Sequence, residues 1–171
     1  MRGHVLAVAV AGLLTSAAKP RLLPTAPGRG TGPVVGVQQH SRSGPIVHLV
    51  HDQGSNMVSA LRTVVEDSAR LSMIWQEALR DPRPEMPSID FKKYVVVVAA
   101  MGQQGSTGNS IDVVSIDSTG GSFNVHVTVT VTGRGCLSGG LITAPIDIVR
   151  VPRSRRPIVF VEKYKQTDCS K

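Results

Sequence analysis

The sequence predicts an α+β fold that is mainly antiparallel β, with about seven or eight strands and one packing helix. In SFNVHVTVTVT (residues 122–132), apolar and polar side chains alternate with the period of two that is typical of a strand with one buried face. YVVVVAAM (residues 94–101) is β-branched and has no polar face, which indicates a central strand covered on both sides. Most connections are short, so neighbouring strands should run antiparallel.

The first two strands are predicted on either side of a turn. Ordered structure should begin near Ile46, where IVHLV has the pattern of a strand, and the following DQGSN has the composition of a turn. MVSALRTVVED is predicted as a second strand region, with Leu61, Val64 and Val65 as its inward residues.

A single helix should follow these strands. Asp67 or Ser68 can cap it, because their side-chain oxygens accept hydrogen bonds from the free N–H groups of a first helical turn. Its apolar residues recur at spacings of three and four, and they are Leu71, Ile74, Trp75, Ala78 and Leu79. The helix should end before Asp81-Pro82, because proline disfavours helical geometry in the residue that precedes it.

The remaining strands come after YVVVVAAM. IDVVSID (residues 111–117) is predicted as a shorter strand that ends at the turn STGG. The alternating strand that follows places Phe123 and four valines on one face, and Asn124, His126 and three threonines on the other. IDIVRV and PIVFVEK are predicted as two final strands separated by PRSRRP.

The N-terminus has the pattern of an export signal over residues 1–18. Arg2 supplies the positive charge, VLAVAVAGLLTSAA is an apolar stretch, and small residues stand at the cleavage positions. A Pro/Gly-rich linker should cover 19–45, a mostly-β domain 46–165 and a flexible tail 166–171. We therefore expect a bacterial protein that is exported to the periplasm or beyond, with no transmembrane span after cleavage. A buried apolar segment or an uncleaved anchor is the alternative for the N-terminus.

The two cysteines and the basic residues leave several interpretations open. Cys136 and Cys169 form a natural disulfide pair in an exported protein, and two unpaired thiols are the alternative. The formal net charge is +7. The strongest local cluster of positive charge comprises Arg150, Arg153, Arg155 and Arg156. This cluster could attract an acidic partner or an anionic surface, or it could be a solvated turn. No aromatic residues interleave this cluster, so we expect no nucleic-acid binding.

The glycine-rich stretch GQQGSTGNS (residues 102–110) does not match a nucleotide-binding loop. No lysine follows Gly108, as a P-loop requires, and the next segment has the pattern of a strand rather than the helix of a dinucleotide site. We therefore predict a loop between two strands that is available to a protein partner. The residues predicted to contact that partner are Gly102, Gln103, Gly105, Thr107, Gly108, Asn109 and Ser110.

The sequence does not predict a catalytic or metal site. His48, His51 and Asp52 form HxxHD, which His126 could complete, but positions 48 and 51 of a regular strand face opposite sides. Asp112 and Asp117 are expected on opposite faces of one strand for the same reason. Ser138 lies in GCLSGG, which does not fit the GxSxG motif of serine hydrolases. We expect no enzyme activity, no metal and no cofactor; a metal-dependent hydrolase using the histidines is the competing hypothesis.

An ordered series of short motifs resembles the C-terminal domain of PrcB-type protease-complex subunits. The series covers about residues 60–161 and includes Asp90-Phe91, the run Val95–Val98, Met101-Gly102-Gln103, Thr107-Gly108 leading into Ser110-Ile111, Gly135-Cys136, Thr143-x-Pro145 and Val151-Pro152-Arg153. The Trp75 helix also fits proteins of this kind. Asn109 and Ser110 replace the second glycine and the aromatic residue of the family's TGGY-like motif.

This resemblance implies an exported, non-catalytic domain that assists or stabilises a protease complex. The partner that it suggests is a protein, namely a protease. The TGGY-like loop is also similar to the loop that chagasin-type inhibitors insert into a cysteine protease. A protease inhibitor-like binder that uses residues 102–110 is therefore one alternative, and an envelope or surface-associated module is another.

Overall fold

The computed structural model describes residues 45–169, which form seven strands and one helix. The predicted signal peptide, the linker up to residue 44 and residues 170 and 171 of the predicted tail lie outside the described residues. The elements are β1 (Val47–Asp52), β2 (Leu61–Val65), α1 (Ser68–Ala78), β3 (Tyr94–Ala100), β4 (Ser110–Asp117), β5 (Phe123–Val131), β6 (Ile146–Pro152) and β7 (Ile158–Gln166). This arrangement confirms the predicted β-rich α+β class.

The strands form two sheets. The first has the order β1-β6-β3-β2 and is antiparallel throughout. The second has the order β4-β5-β7, in which β4 and β5 are antiparallel and β5 and β7 are parallel. The parallel pair arises because β6 lies between β5 and β7 in the chain but belongs to the first sheet.

The strand β3 lies inside the first sheet, as predicted, and residues 95–100 are buried. Its alternate side chains enter two separate cores. Val96, Val98 and Ala100 pack in the core beneath the helix. Val95 and Val97 pack in the core between the two sheets. The strand reads as continuously apolar because both of its faces are covered.

The helix α1 covers one face of the first sheet. Asp67 is its N-cap, and the carboxylate accepts a hydrogen bond of 2.8 Å from the backbone N–H of Arg70. All five residues of the predicted apolar stripe are buried, which confirms that prediction. Trp75 also donates its indole N–H to the carbonyl oxygen of Pro84 at 2.8 Å. The helix ends at Ala78, before the Asp81-Pro82 peptide, which is cis.

The second sheet covers the opposite face of the first sheet. Phe123, Val125, Val127 and Val129 of β5 are buried between the sheets, as their alternation predicts. The domain is therefore built in three layers: the helix, the four-stranded sheet and the three-stranded sheet. No helix among the described residues is long and apolar enough to cross a membrane.

Two edge strands contain bulges. The pairing of β1 with β6 shifts register between His48 and Val50, and the pairing of β4 with β5 shifts between Val113 and Ser115. An extra residue at such a point reverses which face the following side chains occupy. These two bulges explain the differences between the predicted and the observed positions of the histidines and aspartates described below.

Candidate partner-binding surface

The glycine-rich loop lies against the segment that connects β5 to β6. We call residues 102–110 and 133–143 together the two-loop surface. Gln104 and Thr143 form an antiparallel bridge between the two segments, with backbone N–O distances of 2.7 and 3.0 Å. The structure thus brings together the predicted partner loop and the loop around Cys136, which are separated in sequence.

A second set of hydrogen bonds fixes the tip of this surface. The backbone N–H of Thr107 donates to the carbonyl oxygen of Gly139 at 3.1 Å, and the N–H of Gly139 donates to the Thr107 hydroxyl at 2.8 Å. The Thr143 hydroxyl donates to the carbonyl oxygen of Ser106 at 3.0 Å. The two segments therefore support each other through backbone and side-chain contacts.

Two glycines are required by the path of the first loop. Gly102 has φ +73°, and a Cβ atom there would lie 2.7 Å from the carbonyl oxygen of Val58. Gly108 has φ +87°, and a Cβ atom there would lie 2.8 Å from the Thr132 hydroxyl. A side chain at either position would be strained and crowded. The glycine spacing therefore serves a close-packed turn, whereas Gly105 has open space around its Cα.

Asn109 was predicted to contact a partner, but its side chain points inward and is only 6% exposed. Its Nδ2 donates to the carbonyl oxygen of Ser106 at 2.9 Å, and its Oδ1 accepts from the backbone N–H of Thr132 at 3.0 Å. The asparagine joins the loop to the end of β5, so it has a structural role. Its neighbour Ser110 begins β4 and donates its hydroxyl to Asp112 at 3.1 Å. Gln103, Gly105 and Gly108 are the exposed residues of the predicted set.

A disulfide between Cys136 and Cys169 anchors the second loop, with a Cα–Cα distance of 5.1 Å. Beside it, the backbone N–H of Thr167 donates to the carbonyl oxygen of Val131 at 2.9 Å. The carbonyl oxygen of Thr167 occupies the space that a side chain at Gly133 would need. Residues 167–169, which follow β7, are thus held against the base of the second loop.

Sequence reasoning missed the apolar side chains that this loop exposes. Leu137, Leu141 and Ile142 have exposed fractions of 106%, 68% and 65%. Ile142 also lines a shallow depression of about 160 Å³ with Gln103, Gln104 and Gly105. The sequence did contain a signal for this exposure: large apolar residues within a Gly/Ser-rich loop. Such a loop forms no strand or helix with a buried face, so its apolar side chains remain exposed.

The predicted basic patch does not act as one cluster, because its arginines contact different groups. Its members are Arg150, Arg153, Arg155 and Arg156. The guanidinium of Arg150 lies 4.5 Å from the centre of the Tyr94 ring. Arg153 forms an ion pair of 3.0 Å with Glu66. Arg156 donates to a backbone carbonyl oxygen in the turn after β4 at 3.1 Å. Part of the positive charge is therefore compensated locally.

The histidines of HxxHD converge, contrary to the expectation from a regular strand. The β1 bulge places His48 and His51 on one face, with ring centroids 6.1 Å apart. Both approach Asp147, a buried residue of β6 that sequence reasoning did not select. Asp52 does not join them, because its carboxylate accepts a hydrogen bond of 2.9 Å from the backbone N–H of Gly54.

His126 does not complete this cluster. It lies on the outer face of the second sheet, where its Nε2 is 2.5 Å from the carboxylate of Asp117. The hydrogen bond from His126, followed by those from Asn124 and Thr119, lowers the pKa of Asp117 from 3.8 to about 2. The predicted three-histidine site is therefore divided between two places.

The comparisons with known proteins identify one family. Residues 95–152 match the family model described as PrcB C-terminal. The matched segment runs from β3 to β6 and contains the whole two-loop surface. It confirms the family resemblance that the motifs predicted. No curated protein and no solved structure matches the chain.

Proposed function

We propose that this chain, which carries a PrcB C-terminal segment at residues 95–152, is a non-catalytic protein-binding domain that serves as an accessory or stabilising subunit of a protease complex. The two-loop surface is the proposed contact with the partner, and a protease is the proposed partner.

The observation that carries this proposal is the group of exposed side chains Leu137, Leu141 and Ile142 on a loop tied down by a disulfide. Burying a leucine or isoleucine side chain is favourable by about 1.5–3 kcal/mol, so these residues can supply binding energy when a partner covers them. Polar residues such as Gln103 stand beside them, as at the rim of a protein interface. Because hydrogen bonds and the disulfide already fix the loops, binding costs little ordering entropy.

Export is part of the proposal and is supported by the pairing of Cys136 with Cys169, since disulfides persist in oxidising compartments. The proposed location is the periplasm or the exterior of a bacterium. The signal-like pattern of residues 1–18 points the same way.

A protease inhibitor-like role is the second candidate. It is favoured by the rigid support of the 102–110 loop, in which Thr107 and Asn109 are both held by hydrogen bonds to neighbouring segments. A loop that blocks a protease cleft benefits from such pre-organisation. An envelope-associated role through the arginine cluster has less support, because Arg153 is paired with Glu66.

The test measures binding of the purified chain to a panel of bacterial proteases by biolayer interferometry, and then compares variants on the protease that the wild type binds. The double variant Leu141→Ser, Ile142→Ser should weaken binding at least about 30-fold, because it removes two apolar contacts worth together about 2 kcal/mol or more. Its melting temperature should stay close to that of the wild type, since both side chains are exposed. Val114→Ser is the matched control, because Val114 is 56% exposed but lies on β4, outside the surface.

The same preparation distinguishes the two candidate roles. A subunit of a complex should leave the bound protease active on a peptide substrate, whereas an inhibitor should abolish hydrolysis at saturation. Unchanged affinity in the double variant, or equal loss in the Val114→Ser control, would contradict the assignment of the surface.

A further inference from the structure

We propose that His48, His51 and Asp147 form a binding site for a divalent transition-metal ion of the zinc type. The site lies at the edge of the two sheets, where β1, β4 and β6 meet. It is separate from the two-loop surface, and it differs from the sequence-based expectation of no metal.

The backbone presents the two imidazoles together. His48 pairs with Val149 and His51 pairs with Asp147, two β6 residues that are themselves two apart and so face the same side of the sheet. The bulge between His48 and Val50 makes this possible. Residues three apart on a regular strand face opposite sides, and the extra residue of the bulge returns His51 to the side of His48.

The carboxylate of Asp147 is the buried member of the site and has no exposed surface. Its Oδ2 accepts a hydrogen bond of 2.7 Å from the backbone N–H of Val113. Its Oδ1 faces the histidines, 2.8 Å from Nδ1 of His48 and 3.7 Å from Nδ1 of His51. No lysine or arginine forms an ion pair with it among the described residues. A dication bound at this Oδ1, between the two imidazoles, would balance the charge of the buried carboxylate.

The donor atoms suit zinc in kind and position. Two imidazole nitrogens and one carboxylate oxygen are a common ligand set for Zn²⁺, and they suit Ca²⁺ or Mg²⁺ poorly. One ligand atom from each residue lies within 4.8 Å of the other two. Bond lengths of zinc place neighbouring ligand atoms about 3.4 Å apart, so small side-chain movements complete the site. The imidazoles of His48 and His51 are 48% and 45% exposed, which gives an ion and a fourth, water ligand access from solvent.

Asp112 orients one of the ligands. Its Oδ1 lies 3.5 Å from Nε2 of His51, on the side of the ring away from Asp147. A carboxylate at this position favours a proton on Nε2, which leaves the Nδ1 lone pair directed at the site. Asp112 is thus a positioning residue, and it links β4 to the cluster on β1 and β6.

The experiment uses the full chain purified without a histidine tag and titrated with ZnCl₂ by calorimetry, with CaCl₂ and MgCl₂ as parallel titrants. We expect one Zn²⁺ per chain and no binding of Ca²⁺ or Mg²⁺ at the same concentrations. Asp112→Asn should weaken zinc binding about 10-fold, as is typical for loss of an outer partner. His48→Ala and His51→Ala should each weaken it by more than that.

His126→Ala is the matched control, because His126 is also paired with an aspartate but lies on the outer face of the second sheet. It should bind zinc as the wild type does. Circular dichroism of each variant checks that it is folded. A wild-type chain that does not bind zinc, or zinc binding that survives in both His48→Ala and His51→Ala, would show that the cluster is a hydrogen-bonded ion pair only and would overturn the proposal.

Discussion

Replacing Asn109 with alanine should destabilise the domain, although the residue lies in a loop that sequence analysis assigned to partner binding. The side chain is nearly fully buried and bridges the carbonyl oxygen of Ser106 to the backbone N–H of Thr132. Alanine removes both hydrogen bonds. The carbonyl oxygen of Ser106 keeps the Thr143 hydroxyl as a donor, but the backbone N–H of Thr132 loses the amide oxygen. Binding of a protein at the exposed side of the loop should be affected only through the loss of loop order.

The size of the effect follows from these two bonds. Each hydrogen bond contributes about 1 kcal/mol net, so the free energy of unfolding should fall by about 2 kcal/mol. A domain of this size loses about 4 °C of melting temperature per kcal/mol, which gives a shift of about 8 °C. Asn109→Asp should also destabilise, because it keeps the acceptor for Thr132 but places a negative oxygen against the carbonyl of Ser106.

Thermal unfolding followed by circular dichroism measures this shift. Gln103→Ala is the matched control, since Gln103 is exposed in the same loop and its backbone N–H, which alanine retains, bonds to Val58. The control should stay within about 0.5 kcal/mol of the wild type. If Asn109→Ala melts within 1–2 °C of this control, about the resolution of such a comparison, the reasoning about the buried amide is wrong.

Two further predictions concern the disulfide and the outer face of the second sheet. Replacing both Cys136 and Cys169 with serine should lower the free energy of unfolding by about 4 kcal/mol, because the disulfide closes a loop with a sequence separation of 33. Urea denaturation measures this change, and a loss below about 1 kcal/mol would contradict the prediction. The lowered pKa of Asp117 stabilises the fold at pH values above 3.8, the ordinary value for this group, and the contribution is lost as the pH falls through about 2. The difference in melting temperature between the wild type and Asp117→Asn should therefore shrink as the pH falls from 6 to 2, whereas a constant difference would refute the assignment.

Local patterns in the sequence predict the elements well. The helix from Ser68 to Ala78 follows from its spacing of three and four and from the cap at Asp67, both of which act within one or two turns. The strand β5 follows from strict alternation, and β3 from its uninterrupted apolar run. In each case, the repeat of the helix or strand decides which side chains face the core, so the sequence pattern alone identifies the buried residues.

The division into two sheets and the parallel pairing of β5 with β7 could not be predicted in this way. Short connections favour antiparallel neighbours, but the connection from β5 to β6 leads into the other sheet. The inward role of Asn109 was also hidden, since its partner Thr132 lies 23 positions along the chain. A polar residue in a glycine-rich loop is ordinarily exposed, and only the tertiary contact reverses that expectation.

The same physical cause explains both errors about polar residues on strands. His48 and His51 are three apart, and Asp112 and Asp117 are five apart, so a regular strand would place each pair on opposite faces. One bulge within each pair adds a residue and places both members on one face. The β5 residues that pair with the two aspartates are four apart, so they too face the same side. Both bulges are on edge strands, β1 and β4. An edge strand pairs with only one neighbour, so an extra residue disturbs hydrogen bonds on one side only. Side chains of these two edges meet where His51 lies 3.5 Å from Asp112. The polar cluster therefore forms from residues whose spacing had argued against it.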